Sequence, residues 1–77
     1  MEKDLDRIIS KILELDNDEI TNDLTPDDVD SWDSLNHMHL ITSVEKTFKI
    51  HFSMKEVMSI TSISVLRDLV KRHVSGQ

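Results

Sequence analysis

The chain has 77 residues, no cysteine, and 15 acidic residues against 9 Lys plus Arg, for a formal net charge of −6. This length favours a single domain over residues 1–77 and leaves no room for a second core or a large enclosed catalytic cleft. The composition excludes a disulfide scaffold and a cysteine metal centre, and the acidity argues against nucleic-acid binding because it repels phosphates.

The first predicted element is an amphipathic helix over about residues 3–15. Its apolar residues recur at steps of three and four, which predicts one buried stripe. They are Leu5, Ile8, Ile9, Ile12, Leu13 and Leu15. The polar run 16–18 predicts the end of the helix, because Asp and Asn side chains compete for backbone hydrogen bonds.

Residues 17–33 carry seven acids and no base. We expect a long ordered loop, held to the core by Ile20, Leu24, Val29 and Trp32. Within it, the sequence from Thr25 predicts one helical turn, with Thr25 as N-cap followed by the only proline of the chain. A block of acids in one segment is most often a solvated loop, although long loops often carry function.

Three further helices follow the loop. The second begins near Asp33-Ser34, since both residues are good N-caps. A short third helix follows the capping box formed by Ser53 and Glu56. The last begins at Thr61 or Ser62 and runs to the end of the chain. We therefore predict an all-α fold, a small four-helix bundle of three main helices and one short helix with a long loop between helices 1 and 2.

Ser34 stands where the loop meets the second helix. A serine in such a place is most often an N-cap, and the residues alone favour that interpretation. A serine nucleophile needs a base and an oxyanion hole. His37 is three residues further on and could approach Ser34, but one histidine on a small bundle makes no water-excluded site, so a nucleophile is not indicated. A phosphate on Ser34 would nevertheless lie beside the unpaired N–H groups of a helix N-terminus.

The whole chain resembles the acyl carrier protein family. Asp33-Ser34-Leu35 followed by an amphipathic helix is similar to the family motif in which the serine receives 4'-phosphopantetheine. The similarity extends to residues further along the chain, namely Leu40, Ile41, Glu45, Phe48 and the segment 60–63.

The resemblance implies a carrier and not an enzyme, with no catalytic and no metal-binding residues. A phosphopantetheinyl transferase would move the arm from coenzyme A to Ser34, flanked by Asp33 and Leu35. The arm would carry acyl groups as thioesters to partners such as an acyl ligase, a ketosynthase or an acyltransferase. A Trp before the motif is more similar to discrete carriers of specialised pathways than to those of bulk fatty-acid synthesis. The pathway itself stays open among fatty-acid, polyketide and other specialised biosynthesis.

The second helix lacks most of the acids that line it in fatty-acid carriers. Partner recognition is therefore expected to use another set of residues together with the acidic loop: Leu35, Asn36, Met38, His39, Thr42 and Glu45. Met38 is the weakest member, because methionine more often packs inward. By resemblance, an acyl pocket would be lined by Phe52, Val57, Ile60 and Leu69, and the bulk of Phe52 predicts poor sequestration of long chains.

Four further expectations concern single residues and the setting of the protein. Trp32 is expected to anchor the loop in the core. His37 and His39 point about 200° apart on a helix, so we expect two solvated side chains and no metal pair. His51 and His73 are expected at the surface. No apolar run spans a bilayer and the polar start has no signal-peptide character, so a cytoplasmic monomer is expected.

Two alternatives remain open. An aminoacyl or peptidyl carrier has the same fold and arm, and the cargo cannot be read from the carrier. From another class, an unmodified helical adaptor would use Ser34 as a simple helix N-cap. Hydrolysis of thioesters is a more distant third.

Overall fold

The computed structural model describes the backbone of residues 2–76 and the side chains of residues 3–76. The helices are α1 (Glu2–Leu13), α2 (Ser34–Phe48), α3 (Met54–Ser59) and α4 (Ile63–Ser75). Two single turns of 3-10 helix, Asn17–Glu19 and Pro26–Asp28, lie between α1 and α2. The described residues contain no strand, and the predicted all-α fold with a long loop between helices 1 and 2 is confirmed.

One apolar core lies between the helices. Its most deeply buried side chains, each less than 2 % exposed, come from α1, α2 and α4: Leu5, Ile9, Leu13, Leu40, Ile41, Val44, Ile63, Leu66 and Val70. Among the described side chains, no polar or charged residue is buried. Burial of apolar surface is therefore the main stabilising contribution in this part of the molecule.

The end of α1 differs from the prediction. The helix ends at Leu13, and Glu14 adopts a left-handed conformation with φ 55°. The Leu15 N–H then donates to the Ser10 carbonyl at 3.1 Å, and the Ser31 hydroxyl donates to the Leu13 carbonyl at 2.6 Å. The polar run 16–18 does not end the helix, because the chain has already turned at Glu14.

The α1–α2 loop is ordered by buried side chains and by backbone pairing. Ile20, Val29 and Trp32 are buried and Leu24 packs against them, as predicted. The N–H groups at the start of α4 also bond to the loop: Ile63 to the Leu24 carbonyl at 3.0 Å, and residue 64 to the carbonyl of residue 22 at 2.9 Å. The loop is thus fixed to α4 before it reaches α2.

The predicted turn at Thr25 is present, with Pro26 as its first residue. The backbone N–H and the hydroxyl of Thr25 both donate to the Asp28 carboxylate, each at 3.1 Å. The other turn, at Asn17–Glu19, was not predicted; it begins with Asp16, whose N–H donates to the Glu19 carboxylate at 2.9 Å.

Arg67 joins α4 to α1 and to the loop. Its guanidinium donates to the Asp6 carboxylate at 2.7 Å and to the Asn22 side-chain oxygen at 2.5 Å. Because both groups of the ion pair are largely shielded from water, this contact resists screening by salt better than an exposed pair would.

Helix α3 has fewer buried anchors than the other helices. Val57 is its one buried residue, and Phe52 and Ile60 flank it. The predicted capping box is confirmed: the Glu56 N–H donates to the Ser53 hydroxyl at 3.1 Å, and the Ser53 N–H donates to the Glu56 carboxylate at 2.9 Å.

A histidine of α4 also fastens α3. His73 lies 2.9 Å from the Glu56 carboxylate and makes an edge contact with the Phe52 ring at a centroid distance of 5.0 Å. His73 is therefore half-buried and paired, and the expectation of a surface residue was wrong, whereas His51 is exposed as expected. The hydrogen bond from the Ser53 N–H, and next the one from His73, hold the pKa of Glu56 below its ordinary value.

Candidate functional site

Ser34 is the first residue of α2 and is exposed. The helix cap is Asp33, which has an extended backbone and accepts a hydrogen bond from the Asn36 N–H at 2.9 Å. The interpretation of Ser34 as the N-cap was therefore wrong, because Asp33 already fills that role. The Ser34 hydroxyl lies at the helix N-terminus but is not needed as the N-cap.

A groove of about 550 Å³ opens beside Ser34 between the loop, α2 and α3. Its lining residues are mostly apolar. They are Pro26, Trp32, Asp33, Ser34, His37, Met38, Met54, Val57, Met58 and Ile60. The serine hydroxyl is therefore next to a space that can hold a mainly apolar chain.

Four large apolar side chains stand exposed near this groove, and we call them the apolar rim. They are Leu35 (68 % exposed), Met38 (47 %), Met54 (68 %) and Met58 (74 %). No other large hydrophobic side chain among residues 3–76 is exposed. The expectation that Met38 packs inward was wrong, since the buried stripe of α2 runs through Leu40, Ile41 and Val44 and leaves Met38 on the side of Ser34.

His37 joins three segments of the chain on one wall of the groove. The Trp32 indole N–H donates to His37 Nδ1 at 3.0 Å, and His37 Nε2 lies 3.0 Å from the Val57 carbonyl oxygen. His37 is half-buried, so the expectation of a solvated side chain was wrong. The reason is that Trp32 is 3 % exposed and its buried indole N–H requires an acceptor.

Most of the residues expected at the partner surface are exposed. Leu35, Met38, His39 and Thr42 face solvent. Asn36 and Glu45 are half-buried instead, since each is used within the chain. The side-chain amide of Asn36 donates to the Ser31 carbonyl at 2.7 Å. Glu45 accepts from the Phe52 N–H at 2.9 Å and lies 3.2 Å from His51.

The residues expected to line an acyl pocket are all buried in the one core. Phe52, Val57, Ile60 and Leu69 are between 3 % and 7 % exposed. Val57 and Ile60 also line the groove beside Ser34. The structure thus brings two of the four to the wall of the groove.

Charge is distributed unevenly around the site. All seven acids of the loop are exposed, and Asp33 lines the groove. On α2, by contrast, the exposed residues from Ser34 to Phe48 include one charged side chain, Lys46. The acidity therefore lies on the loop side of Ser34, as the sequence indicates, and not along α2.

Sequence reasoning missed the contacts of His37. A usable signal was present, because the indole N–H of a buried tryptophan needs an acceptor and His37 stands five residues after Trp32. Residues 3–76 hold no cluster of three or more His, Cys, Asp or Glu residues that could bind a metal ion. Within the described chain, no helix combines the length and apolarity needed to cross a membrane.

Comparison with known proteins gives three consistent findings. Residues 3–70 match a family described as a phosphopantetheine attachment site. The chain is 33 % identical over 75 residues to an acyl carrier protein of Buchnera aphidicola subsp. Baizongia pistaciae (strain Bp), covering 96 % of this chain and 95 % of that one. It also superposes on the solution structure of a holo acyl carrier protein from Geobacter metallireducens with a TM-score of 0.84 and 33 % identity, over 94 % of this chain and 83 % of that one.

Proposed function

The chain belongs to the acyl carrier protein family, and on that premise we propose that Ser34 bears its phosphopantetheine arm. Proteins of this family are carriers and not catalysts, and the arm is attached covalently. Because the chain has no cysteine, the thiol that forms the thioester belongs to the arm. Its partners are, in general terms, a phosphopantetheinyl transferase and biosynthetic enzymes.

One observation carries this proposal: Asp33 caps α2 and leaves the exposed Ser34 hydroxyl at the mouth of the groove. The position fits the group in two ways. A phosphodiester on Ser34 would lie at the N-terminus of a fifteen-residue helix, where backbone N–H groups and the helix dipole favour an anion. The adjoining groove gives a mainly apolar wall to the rest of the arm and its cargo.

Within the family, we propose that residues 1–77 form one carrier domain. The cargo that we propose is an acyl group of a fatty-acid, polyketide or other specialised pathway, handled by an acyl ligase, a ketosynthase or an acyltransferase. Trp32 before the motif and the scarcity of exposed acids on α2 favour the specialised type. An aminoacyl or peptidyl carrier remains the second candidate, because it would share every feature of the Ser34 site.

We propose further that partners dock through the apolar rim and the acidic loop. The rim exposes Leu35, Met38, Met54 and Met58 around Ser34, and exposed apolar clusters of this kind are typical of interaction sites. A partner would then place an apolar patch against the rim and basic groups against the loop. His39 and Thr42 extend the same exposed side of α2.

Intact-mass measurement tests the attachment site. The chain is incubated with coenzyme A and a phosphopantetheinyl transferase of broad specificity. We expect one phosphopantetheine increment on the unaltered chain and none on Ser34→Ala. The matched control is Ser31→Ala, three residues earlier, which should keep the increment, and circular dichroism should show that all three proteins are helical.

Two results would overturn the assignment. An increment retained by Ser34→Ala would move the site to another residue. No increment on the folded unaltered chain would favour the unmodified adaptor. Discrimination between acyl and aminoacyl cargo needs a different measurement, the charging of the holo chain by acyl ligases and by adenylation domains.

Long acyl chains are expected to be poorly sequestered. Phe52 is 3 % exposed and already packs against His73, so it occupies core volume near α3. NMR spectra of the chain loaded with a short and with a long acyl thioester provide the test. We expect similar shifts of Phe52 and Leu69 in both; large additional shifts with the long chain would contradict the prediction.

A further inference from the structure

We infer that His37 is a positioning residue of the Ser34 site: its neutral ring joins the loop and α3 to α2, and protonation of the ring breaks its contact with Trp32 of the loop. We call the contact Trp32–His37–Val57 the His37 link. The role at Ser34 rests on the proposed function. The link itself rests only on geometry.

The His37 link crosses three segments that are far apart in the chain. Trp32 belongs to the loop, His37 to α2 and Val57 to α3. Both ring nitrogens of His37 are used, one at 3.0 Å from the indole nitrogen and one at 3.0 Å from the Val57 carbonyl oxygen. The two rings lie nearly parallel, with an interplanar angle of 24°. His37 stands three residues after Ser34 and lines the same groove.

The partners of His37 fix its tautomer. An indole N–H can only donate and a carbonyl oxygen can only accept. His37 Nδ1 must therefore be the unprotonated acceptor, and Nε2 must carry the hydrogen that is donated to Val57. The neutral Nε2–H ring satisfies both contacts at once.

Protonation of the ring removes one of these contacts. A hydrogen on Nδ1 would face the hydrogen on the Trp32 indole nitrogen, across a distance of 3.0 Å between the two nitrogens. Trp32 is 3 % exposed, so its N–H would be left buried without an acceptor. The indole or the imidazole must then move, and the wall of the groove moves with it.

The other charged groups near the link come from each of the three segments. At the N-cap of α2, Asp33 is the one titratable residue besides His37 that lines the groove. On the loop, the acids of residues 27–30 are exposed. On α3, Lys55 is exposed and Glu56 is held by Ser53 and His73. In general, carboxylates and lysines titrate outside the pH range in which an imidazole does, so a histidine titration is separable from theirs.

The remaining histidines are separable from His37. His39 is exposed on α2, and His51 is exposed beside Glu45. His73 pairs with Glu56; because protonation strengthens a contact with a carboxylate, acid tightens this contact while it opens the His37 link. Because acid strengthens the contact of His73 and breaks that between His37 and Trp32, the two can be distinguished by experiment.

The His37 link also holds the helix with the fewest anchors. Val57 is the buried residue of α3, and it is the residue whose carbonyl the link holds. Nε2 keeps its hydrogen when the ring is protonated, so the contact with Val57 persists and the change falls on the side of the groove that Trp32 lines. For a carrier, the space next to the arm would then depend on pH.

Trp32 is the only tryptophan of the chain, so intrinsic fluorescence reports on the link directly. Emission of the unmodified chain is recorded from about pH 8 to about pH 5, the range in which histidine titrates. We expect a single titration in the unaltered chain and in His39→Gln. In His37→Gln it should disappear, because an amide offers an acceptor and a donor at the same place without titrating.

NMR gives two independent readouts. The nitrogen shifts of His37 at the alkaline end should report the Nε2–H tautomer. Amide protection factors around Trp32 should fall on acidification in the unaltered chain and should not fall in His37→Gln, whereas those of α4 should not follow the Trp32 titration. The His73→Gln variant should retain the Trp32 titration.

Three results would overturn the inference: no titration of Trp32 emission in the unaltered chain, a titration that survives in His37→Gln, or an Nδ1–H tautomer at alkaline pH. All measurements use the chain without the arm. A failure of the Ser34 assignment would therefore leave this test intact, and a failure here would leave that assignment intact.

Discussion

Two regions of the molecule are built in different ways. In the closed region, α1 and α4 pack on the buried stripe of α2 through side chains such as Leu5, Leu40 and Leu66, none more than 1 % exposed. In the open region, the N-terminal half of α2 faces α3 across a groove bordered by the exposed apolar rim. The closed region buries its apolar residues, while the open region presents them.

The two regions differ in the contacts that hold their helices in place. The closed region depends on apolar burial, which solution conditions within the neutral range hardly alter. Helix α3 depends in addition on two polar contacts, the His37 link and the pair between Glu56 and His73. Functional segments are commonly drawn from the less stable parts of a fold, and polar contacts to histidine can be undone without unfolding the core.

Truncation of a side chain in the closed region should have the largest effect on stability. Leu66 on α4 is fully buried, so Leu66→Ala removes apolar contacts and leaves a cavity. We expect a loss of about 2–5 kcal/mol in the free energy of unfolding. Urea denaturation followed by circular dichroism measures it. The control Met58→Ala, which alters a side chain 74 % exposed, should change stability by less than about 0.5 kcal/mol. Equal losses in both variants would contradict the contrast between the regions.

A smaller effect is expected at the polar fastening of α3. The folded-state pKa of Glu56 is lowered from its ordinary value of 4.5. The ionised carboxylate therefore stabilises the fold at pH values above 4.5. This contribution is lost as pH falls through the folded-state pKa. Glu56→Gln should therefore flatten the dependence of unfolding free energy on pH between about pH 5 and pH 3. Denaturation at a series of pH values tests this. An unchanged slope would show that the contacts of the Glu56 carboxylate with Ser53 and His73 do not stabilise the fold.

The smallest effect on stability, and a clear effect on docking, is expected at the apolar rim. The double variant Met54→Ser/Met58→Ser should keep its unfolding free energy within about 0.5 kcal/mol. If the rim contacts the transferase, kcat/KM for loading of Ser34 should fall by roughly fivefold or more, corresponding to about 1 kcal/mol of lost binding. Lys71→Ser, exposed on α4, is the control. Unchanged loading kinetics would place the contacts of this partner elsewhere.

The local features of the fold could be predicted from the sequence because each has a local cause. The capping box at Ser53 and the turn at Thr25 require only neighbouring residues, and both are present. The stripe of Leu5, Ile9 and Leu13 follows from helical periodicity alone. The end of α1 could not be predicted in this way, because Glu14 adopts a left-handed conformation and no glycine marks that position in the sequence.

The site was predicted less completely, since its details depend on contacts between distant segments. Asp33 and Ser34 are both good caps by composition, and only the backbone geometry assigns the cap to Asp33. His37 was expected in solvent because its own helix gives no sign of the Val57 carbonyl, and the one usable signal, the indole of Trp32, lies outside that helix. The motif singles out Ser34 as the candidate serine, but the environment of that serine could not be predicted from the sequence.

The left-handed residue at the end of α1 is a position at which the stability of the fold can be raised. Glu14 is exposed and has φ 55°, a conformation that costs a residue with a Cβ about 1–2 kcal/mol and glycine very little. Glycine is also the residue most often found at this place after a helix. In a domain of this size, about 1 kcal/mol corresponds to roughly 4–8 °C in Tm. The substitution Glu14→Gly would thus raise the Tm of the carrier. Position 14 is not part of the groove or of the apolar rim, so Ser34 and its surroundings would be unchanged.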